Sequence, residues 1–332
     1  MARSAKLITF ADLYFSLVAA LVQTVRLCRS QRLTWLLVEA ITFLAYHLSR
    51  RKRRASEALL LKVFGRDLDP PRLGQIVRSS FRQFWLDIFL IPGTATWQKQ
   101  ARPAAIEGLE PLRRALESGK GAILWETSYF GRRLLPKCIL NREGFAITQV
   151  HARYHTGGFG RGTATRFRRR FLQPFFENCE KPYVKQIVYL DGPESLAFSK
   201  GLAELLKSNE ILCISAEGRQ GRKFVPVPFL GQTVNFPTGV LSLAKLTGAP
   251  IFPLLCVAEK GHQIRVIIEQ PIRIDRSEER ERGLRTAATR YVSLLESYVK
   301  SYPEQYRNWH GLARLQQSTG HEHGGAPSRP QP

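Results

Sequence analysis

No pair of cysteines in this chain has the spacing of a metal site or a redox motif. The five, Cys28, Cys138, Cys179, Cys213 and Cys256, are scattered and odd in number. That argues against a disulfide framework and reads as buried thiols in a reducing compartment. Acidic residues are scarce: 27 Asp and Glu stand against 50 Lys and Arg, a net charge of +23. A field of that sign attracts nucleic acid, anionic lipid or an acidic protein. The chain has no zinc finger, no RNP-type aromatic strand and no helix-turn-helix pattern, which removes nucleic acid from that set. It has no internal repeat. No small-residue cleavage site follows its first apolar segment, so a cleaved signal peptide is not expected.

What is present suits a folded body. The chain has 332 residues, 44% hydrophobic and 23% charged, enough to bury a substantial core. The tail, residues 314–332, is rich in Gly, Pro, Ser and His and reads as disordered. Near the N-terminus, Leu7 to Val25 is mostly apolar and just long enough to span a bilayer, with Asp12 near one end. Trp35 to Leu48 is too short to span and suits a helix lying in the interface. It runs into Arg50-Arg51-Lys52-Arg53-Arg54, which adds attraction to anionic headgroups. The plainer alternative is a buried helix followed by a solvated charged turn.

The spacing of apolar residues divides the chain into anchoring helices at 1–50, a helical segment at 51–104 and an α/β domain at 105–313. Asp69-Pro70-Pro71 has the form of a helix start. Strands are expected at Ala122–Trp125, Phe145–Val150, Ile211–Ser215, Lys223–Val227, Ile251–Val257 and Ile264–Ile268. Helices are expected at Leu109–Ser118, Arg132–Asn141, Leu196–Leu206, Gly239–Leu246 and Glu278–Tyr302. The alternation predicts α/β class, a mostly parallel sheet flanked by helices.

In such sheets ligands sit beyond the carboxyl ends of the strands. Three of those ends carry unusual chemistry. One is Trp125-Glu126-Thr127-Ser128-Tyr129-Phe130-Gly131. Another is Val150-His151-Ala152-Arg153-Tyr154-His155. The last, Ser215-Ala216-Glu217-Gly218-Arg219-Gln220-Gly221-Arg222, joins a carboxylate, a glycine turn and two arginines, a good clamp for an anion. A solvated, salt-bridged turn is the bland alternative.

Four stretches read in order resemble the lysophospholipid acyltransferase superfamily, and within it the lipid A late acyltransferases. They are Gly119-Lys120-Gly121 with Tyr129-Phe130-Gly131; Glu217-Gly218 with Pro228-Phe229-Leu230-Gly231; Pro237-Thr238-Gly239 with Thr247-Gly248-Ala249-Pro250; and Pro303-Glu304-Gln305-Tyr306-Arg307-Asn308-Trp309-His310. The resemblance covers roughly residues 35–313. It implies a parallel-rich core behind membrane-associated helices at the cytoplasmic face of the inner membrane. It also implies acyl transfer from an acyl carrier protein or coenzyme A thioester to a hydroxyl of a membrane glycolipid or phospholipid, with no metal and no bound cofactor.

The sequence departs from the family where the chemistry is made. The family's His-x4-Glu/Asp pair, a base and the acid that orients it, is replaced by Tyr129 and Leu134. A tyrosine, with an unperturbed pKa of about 10, is a poor base near neutral pH. Candidates for the lost role are His151, then His155, Glu126 and Tyr129 itself. Arg153, Glu217, Gly218, Arg219 and Arg222 are candidates for binding phosphate, sugar or the developing oxyanion. The five arginines between Arg161 and Arg170 suit an acidic carrier protein or anionic lipid. The alternative to an enzyme is a catalytically silent homologue that binds lipid or supports a partner.

Overall fold

The computed structural model describes residues 8–65, 68–90, 97, 105–152, 165–190, 196–217, 223–259, 263–275 and 277–312. Arg153, His155, Arg161, Gly218, Arg219, Arg222 and the tail lie outside them.

Four helices open the chain: α1 (Phe10–Cys28), α2 (Gln31–Leu48), α3 (Arg50–Phe64) and α4 (Pro70–Phe89). Asp69 caps α4 as the sequence predicts, accepting the Arg72 N–H at 3.1 Å. Then follow β1 (Ala105–Glu107), α5 (Leu109–Glu117), β2 (Ala122–Glu126), α6 (Leu134–Arg142) and β3 (Ile147–Ala152). A π-helical turn at Arg168–Leu172 leads into α7 (Gln173–Glu180), then β4 (Gln186–Leu190), α8 (Leu196–Lys207) and β5 (Ile211–Ser215). The chain continues with β6 (Phe224–Phe229), β7 (Gln232–Pro237), α9 (Gly239–Thr247), β8 (Ile251–Ala258), β9 (Ile264–Ile268) and α10 (Arg280–Ser301).

The main sheet has the order β1-β9-β8-β2-β5-β3-β4. All neighbours are parallel except β8 and β9. Its two faces fill different cores. Ile123 and Trp125 of β2 face α8, α9 and α10. Ala122 and Leu124 face α5 and α6. This alternation gives three layers with the strands buried on both sides.

One expectation needs correction. The strand expected at Lys223–Val227 forms, but as β6 of a separate antiparallel hairpin with β7. In the main sheet β5 lies between β2 and β3, pairing with both. At about 4.8 Å per strand, the end of β3 sits two spacings from the end of β2.

The N-terminal helices share a core of their own with α4 and α7, through Val18, Val22, Val38, Trp85, Phe89 and Leu172. Asp12 is fully buried and meets the Arg168 guanidinium, Nη2 at 2.8 Å and Nε at 2.9 Å. Arg168 also lies over the Phe15 ring, 5.2 Å from its centroid. Among the described residues, no helix is long and apolar enough to cross a membrane. The spanning option for Leu7–Val25 is therefore unsupported. Instead, α1 buries a valine face and leaves Phe10, Leu13 and Leu17 exposed.

Candidate active site

The loop after β2, Thr127–Gly131, is held from two sides. From the β5 side, Glu217 turns inward. Its carboxylate accepts the Thr127 hydroxyl and, at 2.7 Å, the Ser128 N–H. The Thr127 oxygen in turn accepts the Tyr129 N–H at 3.2 Å. Burial pushes the Glu217 carboxyl up from its ordinary value. Sequence reasoning gave Glu217 to the substrate; the geometry gives both its oxygens contacts to this loop.

From the other side, the C-terminal segment closes on the same loop. The Arg307 N–H donates to the Tyr129 carbonyl at 2.7 Å, and its guanidinium donates to the Ser128 carbonyl at 2.5 Å. Arg307 is itself ion-paired with Asp87 of α4 at 2.5 Å. Gly131 donates to the Gln305 carbonyl at 3.2 Å, while the Gln305 side chain bonds both backbone groups of Ala258. Gly131 has φ +63° and lies so close to β8 that an added Cβ would stand 1.9 Å from the Cys256 carbonyl oxygen. Only glycine fits there. The sequence motif at Pro303–His310 is thus a clamp on the Tyr129 loop.

Glu126, at the end of β2, faces the α6 side of the sheet. It lies 3.4 Å from the Arg133 guanidinium and 3.3 Å from the Lys137 ammonium. Gln149 at 3.4 Å and Ser215 at 3.3 Å also donate to it. Burial alone raises its pKa, but Lys137 and Arg133 outweigh burial and hold the carboxyl below the usual range. That chemistry suits a structural carboxylate better than a base.

Lys137 is 1% exposed and reaches a second carboxylate, Glu180 of α7, at 2.7 Å. The other Glu180 oxygen meets His151 Nε2 at 2.5 Å. Burial favours protonated Glu180, yet Lys137 and His151 hold it well below the ordinary carboxylate range. So His151, Glu180, Lys137, Glu126 and Arg133 form one buried ionic chain joining β3, α7, α6 and β2. Nearby Arg132 is buried enough to be pushed down to about 10, with Asp87 opposing the shift. Among the described residues no group of His, Cys, Asp and Glu is arranged to hold a metal.

The structure therefore brings Glu126 and His151 into one network, through Lys137 and Glu180, and places Glu217 with Tyr129. Glu180, Lys137 and Arg307 were not singled out from sequence as site residues. Glu180 and Lys137 sit in helices without a motif; only the fold sets them against His151.

Residues 190–312 match the model of the bacterial lipid A biosynthesis acyltransferase family. That stretch holds β5, Glu217, the β6–β7 hairpin, α9, β8, α10 and the clamp. This part of the chain is lipid A acyltransferase-like. A phosphatidylinositol mannoside acyltransferase of Mycobacterium tuberculosis (strain ATCC 25618 / H37Rv) is 29% identical over 180 residues, 54% of this chain and 52% of the relative. One of Mycolicibacterium smegmatis is 27% identical over 192 residues, 58% of each. The chain spans about half the length of these curated relatives. The resemblance read from the motifs is borne out, while the Tyr129 loop lies before the residues matched to the family.

Proposed function

We propose that this chain transfers a fatty acyl group from an acyl thioester, on acyl carrier protein or coenzyme A, to a hydroxyl of a membrane glycolipid or phospholipid. The observation that carries this reading is the likeness of residues 190–312 to lipid A acyltransferases. The glycolipid acyltransferases among the relatives support a glycolipid acceptor. The site sits over the carboxyl ends of β2, β5 and β3. There, a hydroxyl attacks the thioester carbonyl as a base removes its proton, and the thiol departs. His151 is the leading base. Arg153, Arg219 and Arg222 are proposed to meet the phosphate or the developing oxyanion.

The test is direct. Purified protein is given labelled acyl-coenzyme A or acyl carrier protein, with glycolipid in vesicles, and the ester product is measured. Ester in either arm supports the reading and names the donor; none in both arms rejects it. Tyr129 and Leu134, in place of the family's base and acid, favour a second reading, a silent homologue that binds lipid. It predicts lipid binding without ester.

The protein is also proposed to attach to the cytoplasmic face of the inner membrane, on the surface. The exposed Phe10, Leu13 and Leu17 of α1 and Leu36, Phe43 and Leu44 of α2 support this. The basic start of α3 adds attraction to anionic headgroups. A high-salt wash is expected to release part of the protein, since screening weakens surface charge contacts. A protein wholly soluble at low salt would rule the attachment out.

A further inference from the structure

We propose that His151 and Glu180 form the general-base dyad of this site, with Lys137 and Glu126 balancing its charge. This rests on the acyl-transfer reading. It is needed because Tyr129 and Leu134 stand where the related enzymes are expected to carry a histidine and an acid.

The geometry has the parts of such a dyad. His151 lies next to the last residue of β3, at the carboxyl end of the sheet, where the site is expected. Its Nε2 is 2.5 Å from a Glu180 oxygen. His151 is 9% exposed, so the pair is largely shielded from water. In a shielded site a carboxylate orients an imidazole and stabilises its charged form more strongly than in solution.

Glu126 and Glu180 carry two negative charges and Lys137 and Arg133 two positive, so these four groups balance. Glu180 is held ionised, so its oxygen accepts and Nε2 carries the hydrogen. The basic lone pair is then on Nδ1. Lys137 makes this possible. Without its ammonium, 2.7 Å from Glu180 and 3.3 Å from Glu126, two buried carboxylates would face each other and one would take up a proton. Tyr189 of β4 also faces His151, with ring centroids 6.4 Å apart, and burial pushes its phenol far up, so it stays neutral.

The step balances. The acceptor's oxygen forms a bond to the thioester carbonyl carbon while its proton moves to His151 Nδ1. The tetrahedral oxyanion collapses, the carbon–sulfur bond breaks, and the thiolate takes the proton from the imidazolium. Ester and thiol leave, and His151 is neutral again. The transient imidazolium is the extra positive charge, and Glu180 lies against it.

The test compares H151A, E180Q, E180D and wild type by ester formation across pH, by thermal melting, and by titration of 15N-labelled histidine. H151A is expected to lose about 10²–10⁴-fold in rate, with part restored by added imidazole. E180Q keeps the size of the side chain but not its charge. It is expected to lose at least about tenfold. Its pH–rate profile and its His151 resonance should both differ from wild type, because the imidazolium formed in the step has lost its anion; E180D should recover part of both. If H151A melts early, E180Q carries the comparison. Wild-type rates and profile in E180Q, or in folded H151A, would overturn the dyad and leave acyl transfer standing. No ester from wild type overturns the acyl-transfer reading, and the catalytic role of the dyad falls with it.

Discussion

At the scale of the residue, Glu217 shows how a buried carboxylate can serve a loop. It holds the Thr127 hydroxyl and the Ser128 N–H, and both lose their partner in Glu217→Ala. Each buried group left unsatisfied costs about 1–3 kcal/mol. The variant is expected to melt several degrees lower and to lose activity, as read by calorimetry and ester formation. Arg307→Lys should keep the charge but lose the fork that joins Asp87 to the Ser128 carbonyl. Glu126 and Glu180 predict a pH effect. Both are held below their unfolded value of about 4.3. Their stabilisation is complete above that value and is lost as pH falls through the lower folded values. Melting temperature should therefore fall on acidification below about pH 4, and less steeply in Glu180→Gln than in wild type. An exposed control, Glu204→Gln, should track wild type. These residues were unequally legible. Glu126, His151 and Glu217 follow strands whose apolar runs mark their ends. Lys137 reads as an ordinary helix residue, and Glu180 lies 29 positions from His151 with no pattern linking them.

At the scale of the element, α1 is fastened by one buried ion pair. Asp12 both accepts the Thr9 N–H at the start of α1 and grips Arg168. Asp12→Ala leaves the guanidinium buried without its anion, at a cost of about 3–5 kcal/mol. The expected result is faster proteolysis at the α1–α2 junction, Arg29–Ser30, with little change in the melting of the sheet domain. Reversing Arg51, Lys52 and Arg54 to Glu should abolish binding to anionic vesicles at low salt while leaving the melting temperature near wild type. Unchanged vesicle binding would assign attachment to the apolar faces alone. Strands with dense apolar runs, such as Ile211–Ser215 and Ile264–Ile268, were legible to the residue. The three missed strands give weaker signals: β1 has three residues, β4 sits between polar segments, and β7 mixes Gln, Thr and Asn with its apolar residues. Strand order was not legible at all. The insertion of β5 between β2 and β3 depends on crossover packing, which no local spacing records.

At the scale of the whole molecule, a net charge of +23 surrounds a mostly parallel sheet whose strand ends gather the reactive groups. An excess of positive charge favours anionic partners, and the proposed surface attachment uses the exposed apolar faces of α1 and α2. Within that frame the first loop, which carries Tyr129, is clamped by Glu217 and Arg307. The most direct measurement of the central claim is acyl transfer to a glycolipid hydroxyl by wild type and by His151→Ala, side by side, on anionic vesicles. The account predicts ester from wild type and about 10²–10⁴-fold less from the variant. No ester from wild type, or equal ester from both, would contradict it.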